Sequence, residues 1–145
     1  MKTANTTQRG AIMLEALIAI LIFSLGILAV VGLQAGAIKL SSDAKYRSDA
    51  SLLANQIIGQ MWASDHTQTT FQTNFQTGGA AYNAWLTDVY KELPGVSGVA
   101  ANKPTISVVA NTSTSPASNT VTVTIYWQIP GDASLHKAVA IADII

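Results

Sequence analysis

The residue with the clearest chemical demand is Glu15. It is a carboxylate inside residues 11–33, AIMLEALIAILIFSLGILAVVGL, where the only other polar side chain is Ser24. A charged side chain in hydrocarbon costs about 2.5–3.5 kcal/mol or more, so it calls for a partner. Just ahead of it lies a Gly10–Ala11 junction, preceded by MKTANTTQRG with Lys2 and Arg9 and no acidic residue. The other groups capable of chemistry are sparse. His66 and His136 fall in separate predicted loops, Asp65 beside the first and Asp132 near the second, and neither histidine has a metal-ligand spacing on a helix. No G-x-S-x-G and no phosphate-binding glycine loop occurs. Cysteine is absent, which excludes disulfides, thiolate metal sites, a cysteine nucleophile and a lipoprotein anchor. Asp132 alone is thin evidence for calcium, which takes about 6–8 oxygen ligands. The sequence therefore reads as a non-enzyme with no catalytic residue, no metal site and no cofactor.

The element that must hold Glu15 is a helix. About 20 apolar residues cross a hydrocarbon core, and in lipid the backbone must pair within its own segment. Residues 11–38 are thus expected to be a transmembrane helix, with the carboxylate near its start. An ordinary secretory signal is the rival, with Ala35-Gly36-Ala37 as a small-residue cleavage site. The apolar run is longer than the usual 7–15 residues of such signals, and it carries Glu15. The basic residues decide no orientation, because Lys39, Lys45 and Arg47 follow the helix and Lys2 and Arg9 precede it. Gly32 and Gly36 form a small-xxx-small pair that lets helices approach closely. Gly is also simply common in membrane helices, and both readings stand.

The helical pattern continues beyond the apolar run. In residues 39–64 no proline occurs, and Tyr46, Ala50, Leu53, Ile57 and Met61 recur at three- and four-residue steps. Asp43, Lys45, Arg47, Asp49, Asn55 and Gln56 lie mostly off that stripe. One helix over about 12–63 would span roughly 75–80 Å at 1.5 Å per residue. Residues 65–79, DHTQTTFQTNFQTGG, read as a polar surface loop that Phe71 and Phe75 pin down. Residues 80–93 place Tyr82, Trp85, Leu86, Val89, Tyr90 and Leu93 at helical spacing, with Trp85 and Tyr90 expected inside and Pro94-Gly95 as the stop. The rest is β-rich. Strands are expected at 105–110 and 120–128, the latter with alternating Thr and apolar residues through Ile125, around a polar loop at 111–119. A turn at Pro130-Gly131-Asp132 leads to a closing strand at 137–145. The expected class is α+β: a long N-terminal helix, its amphipathic half packed on a small antiparallel sheet of about three strands. Formal net charge is zero, so no basic footprint points to nucleic acid.

A leader ending in a basic residue and Gly10, followed by Ala11, three more apolar residues, Glu15 and a long apolar helix, resembles the class III (prepilin) signal. That signal marks type IV pilins and type II secretion pseudopilins. The resemblance implies that a prepilin peptidase cuts between Gly10 and Ala11 and N-methylates Ala11. Residues 1–10 would be the leader, 11–38 the transmembrane and filament-core helix, and 39–145 a periplasmic head. Within that head lie the amphipathic half-helix 39–64, a variable loop and short helix 65–95, and a β region 104–145. It further implies an assembly role for Glu15. Cleavage leaves an ammonium on Ala11, and in a filament the carboxylate pairs with that amine of a neighbouring subunit, two charges tolerable together where each alone is costly. An unpartnered Glu15 reaching for the interface is the plain alternative.

The stretches RSDASLLANQIIGQMWAS, the tryptophan helix ending in LPGV, and VTVTIYW look like the minor pilins of the PilV type, which support type IV pilus modification and assembly. Ala11 stands where Phe is common in the family. The implied partners are other minor pilins, the major pilin, the prepilin peptidase, the inner-membrane assembly platform, and membrane lipid before assembly. The implied location is the inner membrane, single-pass with the head in the periplasm, and then the pilus tip. A minor pseudopilin of a type II secretion or DNA-uptake system shares these features. A signal-anchored periplasmic binding or adhesion module is the reading of another class, in which Glu15 would be dispensable.

Overall fold

The structure is a computed structural model and describes residues 8–113 and 117–145. Its elements run α1 (Gln8–Trp62), α2 (Gln68–Thr70), a π-helical turn (Phe71–Phe75), α3 (Ala80–Glu92), a 3-10 turn (Ala100–Asn102), β1 (Thr105–Asn111), β2 (Ser118–Gln128) and β3 (Leu135–Ile144). The expected class is what is found: a long N-terminal helix packed on a three-stranded antiparallel sheet. The chain forms two compact units, one ending at Ser41 and the other Ser42–Ile145.

In the first unit α1 is apolar on every side, and none of residues 10–41 is buried. A helix that is hydrophobic all round has no single face to turn toward a core. It is the one helix among the described residues long and apolar enough to cross a membrane. Its internal hydroxyl is satisfied locally, because Ser24 Oγ donates to the carbonyl of Ile20 at 2.7 Å. Residues 1–7 of the expected leader, Lys2 among them, lie outside the described residues.

In the second unit the pattern on α1 changes and so does its fate. Ala50, Leu53, Ala54, Ile57, Ile58 and Met61 are buried, and Tyr46 packs against them. Beside the stripe lie i,i+4 pairs, Lys45 with Asp49 at 3.8 Å and Arg47 with Asp43 at 3.6 Å. Such exposed pairs contribute well under 1 kcal/mol each. The stripe meets the sheet, whose order is β1-β2-β3 with both pairings antiparallel. On the central strand β2, Val121, Val123, Ile125 and Trp127 point to the helix, while Thr120, Thr122, Thr124 and Tyr126 alternate outward. Ile129-Pro130-Gly131-Asp132 then turns the chain toward β3. Asp132 N–H donates to the carbonyl of Ile129 at 2.9 Å, and Gly131 takes the positive φ of 82° that this turn needs after proline.

Helix α3 closes the core with Tyr82, Trp85, Leu86 and Val89. Trp85 Nε1–H donates to the carbonyl of Leu53 at 2.9 Å, tying α3 to α1 by a buried bond. The buried Tyr82 hydroxyl donates to the carbonyl of Pro104 at 2.6 Å. Burial, with a smaller contribution from nearby Tyr90, pushes that phenol up to about 12. The helix stops at the Pro94-Gly95 turn. There Gly95 has φ +73°, and an added Cβ would lie 2.7 Å from Cβ of Gln128. Glycine is required there on both counts.

Several expectations are corrected. The stretch 65–79 is no plain loop. Thr67 Oγ1 caps α2 by accepting from Thr70 N–H, and the π turn closes with Gln76 N–H donating to Phe71 carbonyl at 2.9 Å. Phe71 and Phe75 are buried by that turn, so the pinning holds while the loop does not. Tyr90 lies on the outside, 36% exposed, unlike Trp85. Strand β2 begins at Ser118, and β3 covers Leu135–Ile144, two residues earlier than expected. Residues 114–116 of the intervening loop lie outside the described residues.

Candidate functional site

Gly10, Ala11 and Glu15 all lie in helical backbone, since α1 is already formed at Gln8. The helix thus begins ahead of the expected residue 12 and runs through the Gly10–Ala11 junction. Ala11 and Glu15 are four residues apart, so they share one face a single turn from each other. Both are exposed, as is every residue from 10 to 41. Gly32 and Gly36 are likewise one turn apart. A Cβ added at either, or at Gly26, would meet nothing within 4 Å. These glycines therefore make no close approach inside the chain. Any packing role for them involves a surface that this chain does not itself supply.

Asp65, His66, Asp132 and His136 are expected in loops, and the first three do lie outside helices and strands. His136 is in strand β3, not in a loop. Its ring stacks on Trp127 at 5.7 Å between centroids and 17° between planes. Nδ1 lies 3.5 Å from Asp43 Oδ1, and Nε2 lies 4.0 Å from Asp132 Oδ2. Both distances exceed those of good hydrogen bonds. Asp43 Oδ1, His136 Nε2 and the buried Trp127 Nε1 have no hydrogen-bond partner among the described residues. The arrangement brings α1, the β2–β3 turn and β3 together around the stacked His136 and Trp127 rings. Sequence offers no local signal for it, because Asp43 and His136 are far apart in the chain.

His66 is half-buried and bridges two carbonyls, with Nδ1 2.8 Å from Ile145 O and Nε2 3.0 Å from Trp62 O. A neutral ring donates to one of these, and a protonated ring to both. Asn119 Nδ2–H in turn donates to the His66 carbonyl at 3.0 Å. Its partners are backbone oxygens at chain crossings, which is the work of a structural residue. Among the described residues no group of three or more His, Asp or Glu is placed to hold a metal. A cleft of about 240 Å³ between α1 and α3 is rimmed by Asp49, Asp88 and Glu92 over Leu52, Leu53 and Gln56. Two of these carboxylates already have cations, Asp49 from Lys45 and Asp88 from Lys91 at 3.6 Å. No family model, curated protein or solved structure matches the chain.

Proposed function

We propose that this chain is a minor pilin of a type IV pilus, a non-enzymatic filament subunit held in the inner membrane by α1 until assembly. The observation that carries the reading is the position of Glu15: one helical turn beyond Ala11, on a helix with no buried residue from 10 to 41. A carboxylate there is costly in lipid and in an apolar filament core unless a cation meets it. Cleavage between Gly10 and Ala11 would create that cation as the N-methylated amine of Ala11. Pairing with a neighbouring subunit then fixes axial register while the apolar surface around it, with Gly32 and Gly36, packs against other pilin helices. The compact unit Ser42–Ile145 serves as the periplasmic head, presented in a tip-located complex with other minor pilins and the major pilin. The prepilin peptidase and the assembly platform are its partners in the membrane.

The deciding measurement is the intact mass and N-terminal sequence of the protein taken from its native membrane. A chain starting at methylated Ala11 is the expected result. A start after Ala37 would make it a secreted domain, and an uncut Met1 a signal-anchored binding module; either overturns the proposal. In cells lacking the wild-type copy, Glu15→Ala should leave membrane insertion and the head fold intact and strongly reduce piliation. Full piliation by that variant would remove Glu15 from the mechanism.

A further inference from the structure

The two edges of the sheet are treated differently. At the β1 edge Thr77 covers the strand: its N–H donates to the Ile106 carbonyl at 3.3 Å, and Ile106 N–H donates to Thr77 Oγ1 at 2.9 Å. At the β3 edge no backbone group among the described residues forms a bond beyond those to β2. Strand β3 is ten residues long, contains neither proline nor glycine, and pairs with β2 in one unbroken register from Asn119↔Ile144 to Gln128↔Leu135. Native edges are usually shortened, bulged, covered, interrupted by proline or guarded by charged side chains. Of these protections this one has only its charges, Lys137 and Asp143. Its outward row is Leu135, Lys137, Val139, Ile141 and Asp143, with Leu135 49%, Val139 52% and Ile141 67% exposed.

We propose that the β3 edge pairs with β3 of a second copy of this chain, antiparallel about a two-fold axis at Ala140. The occupant follows from the charge pattern. With Ala140 on the axis, Lys137 of each copy stands opposite Asp143 of the other, and Val139 opposite Ile141. Both kinds of pair form twice by symmetry. On the inner face Ala138 meets Ala142 and Ala140 meets itself, side chains too small to clash. Sliding the register by two residues either way sets Lys137 against Ile141 or Ile145, and Asp143 against Leu135 or Val139. Slipping by one residue would put side chains of the two rows on opposite faces. One register therefore satisfies charge and apolar contact together. Asp143 is already oriented, because Thr120 Oγ1 donates to its carboxylate. Within one chain Lys137 and Asp143 are about 20 Å apart along the strand, so only another copy brings them together. The pairing makes a continuous six-stranded sheet from two three-stranded ones. It involves only Ser42–Ile145 and does not rest on the filament reading.

The test uses the full-length chain in detergent micelles. The chain has no cysteine, so introduced thiols are the only ones present. Two differently tagged chains, one carrying Val139→Cys and one Ile141→Cys, should form a mixed disulfide roughly tenfold faster than either forms with itself, since bridging needs Cβ atoms close together. Lys137→Asp should suppress that linkage, and adding Asp143→Lys in the same chain should restore it. Association through α1 would bring copies together without this pattern. No linkage, equal linkage in all pairings, or failure of the charge-swapped chain to recover would each overturn the proposal.

Discussion

The same helix meets two different fates. Up to Ser41 it is apolar on all sides, and no described side chain from residue 10 onward is buried. From Ser42 it carries a narrower stripe, and Ala50, Leu53, Ile57 and Met61 vanish into a core. The more hydrophobic half is the more exposed one. Hydrophobicity alone does not bury a residue; patterning that matches a partner surface does. The half with a polar side could be covered by a sheet and remain soluble. The half without one needs an apolar environment all round, from lipid or from other helices.

The strongest test of that contrast is a pair of isoleucine truncations. Ile57 is fully buried and Ile22 is 63% exposed. Ile57→Ala should destabilise the head by about 2–5 kcal/mol, the lost burial plus the cavity left behind. Ile22→Ala should leave the head's unfolding midpoint unchanged. Trp62, Trp85 and Trp127 all lie in Ser42–Ile145, so tryptophan fluorescence during denaturant unfolding of the detergent-solubilised chain reports the head alone. A midpoint shift with Ile22→Ala would break the comparison, since it would mean that α1's apolar half supports the head.

Glycine gives the next contrast. At Gly95 the positive φ and the contact with Gln128 both oppose a side chain. Gly95→Ala should cost the head about 1–3 kcal/mol of stability through backbone strain. Gly32 sits in ordinary helix with open space around it. There Gly32→Ala should leave the head unaffected and favour the helix locally by about 1 kcal/mol. If Gly32 and Gly36 meet a neighbouring helix, the same change should nonetheless lower piliation, so the stability and assembly readouts separate.

What was legible in the sequence was what repeats with a period. The stripe from Tyr46 to Met61 and the alternation from Thr120 to Ile125 each state which side is buried, and α1, β2 and the α+β class follow from them. Proline and glycine marked both turns. The π turn was missed because Phe71 and Phe75 are embedded in Thr and Gln, which carry no helical pattern; Thr67, with Asp65 accepting from its N–H at 3.2 Å, was the capping signal available. Tyr90 was misplaced by a coarse view of spacing. At about 100° per residue it lies some 80° around α3 from Tyr82, at the margin of the buried stripe. The approach of Asp43 to His136 depends on how α1 is laid against β3, which no local pattern encodes. The roles proposed for Gly10, Ala11 and Glu15 rest on a linear motif and on chemistry outside this chain, and all three are exposed.

The finest comparison is between two hydroxyls. Ser24 satisfies its own within a turn of α1, whereas Tyr82 reaches across the head to Pro104. Tyr82→Phe should therefore destabilise the head at neutral pH by about 0.5–1.5 kcal/mol, the net worth of one hydrogen bond, while Ser24→Ala should not register there. The tyrosine also predicts a pH dependence. Its folded value is raised from 10.0 to about 12, so below pH 10 both folded and unfolded states hold the proton and its contribution is fully present. Between those values the unfolded chain releases the proton and the folded one retains it. Stability must then fall as pH rises, and the contribution is lost as pH passes the folded value. Tyr46, Tyr90 and Tyr126 remain in both proteins, so the difference between wild type and Tyr82→Phe isolates this group. That difference should be constant up to pH 10 and shrink above it. A difference that stays flat to pH 12 would show that the Tyr82 hydroxyl is no better shielded than an exposed one.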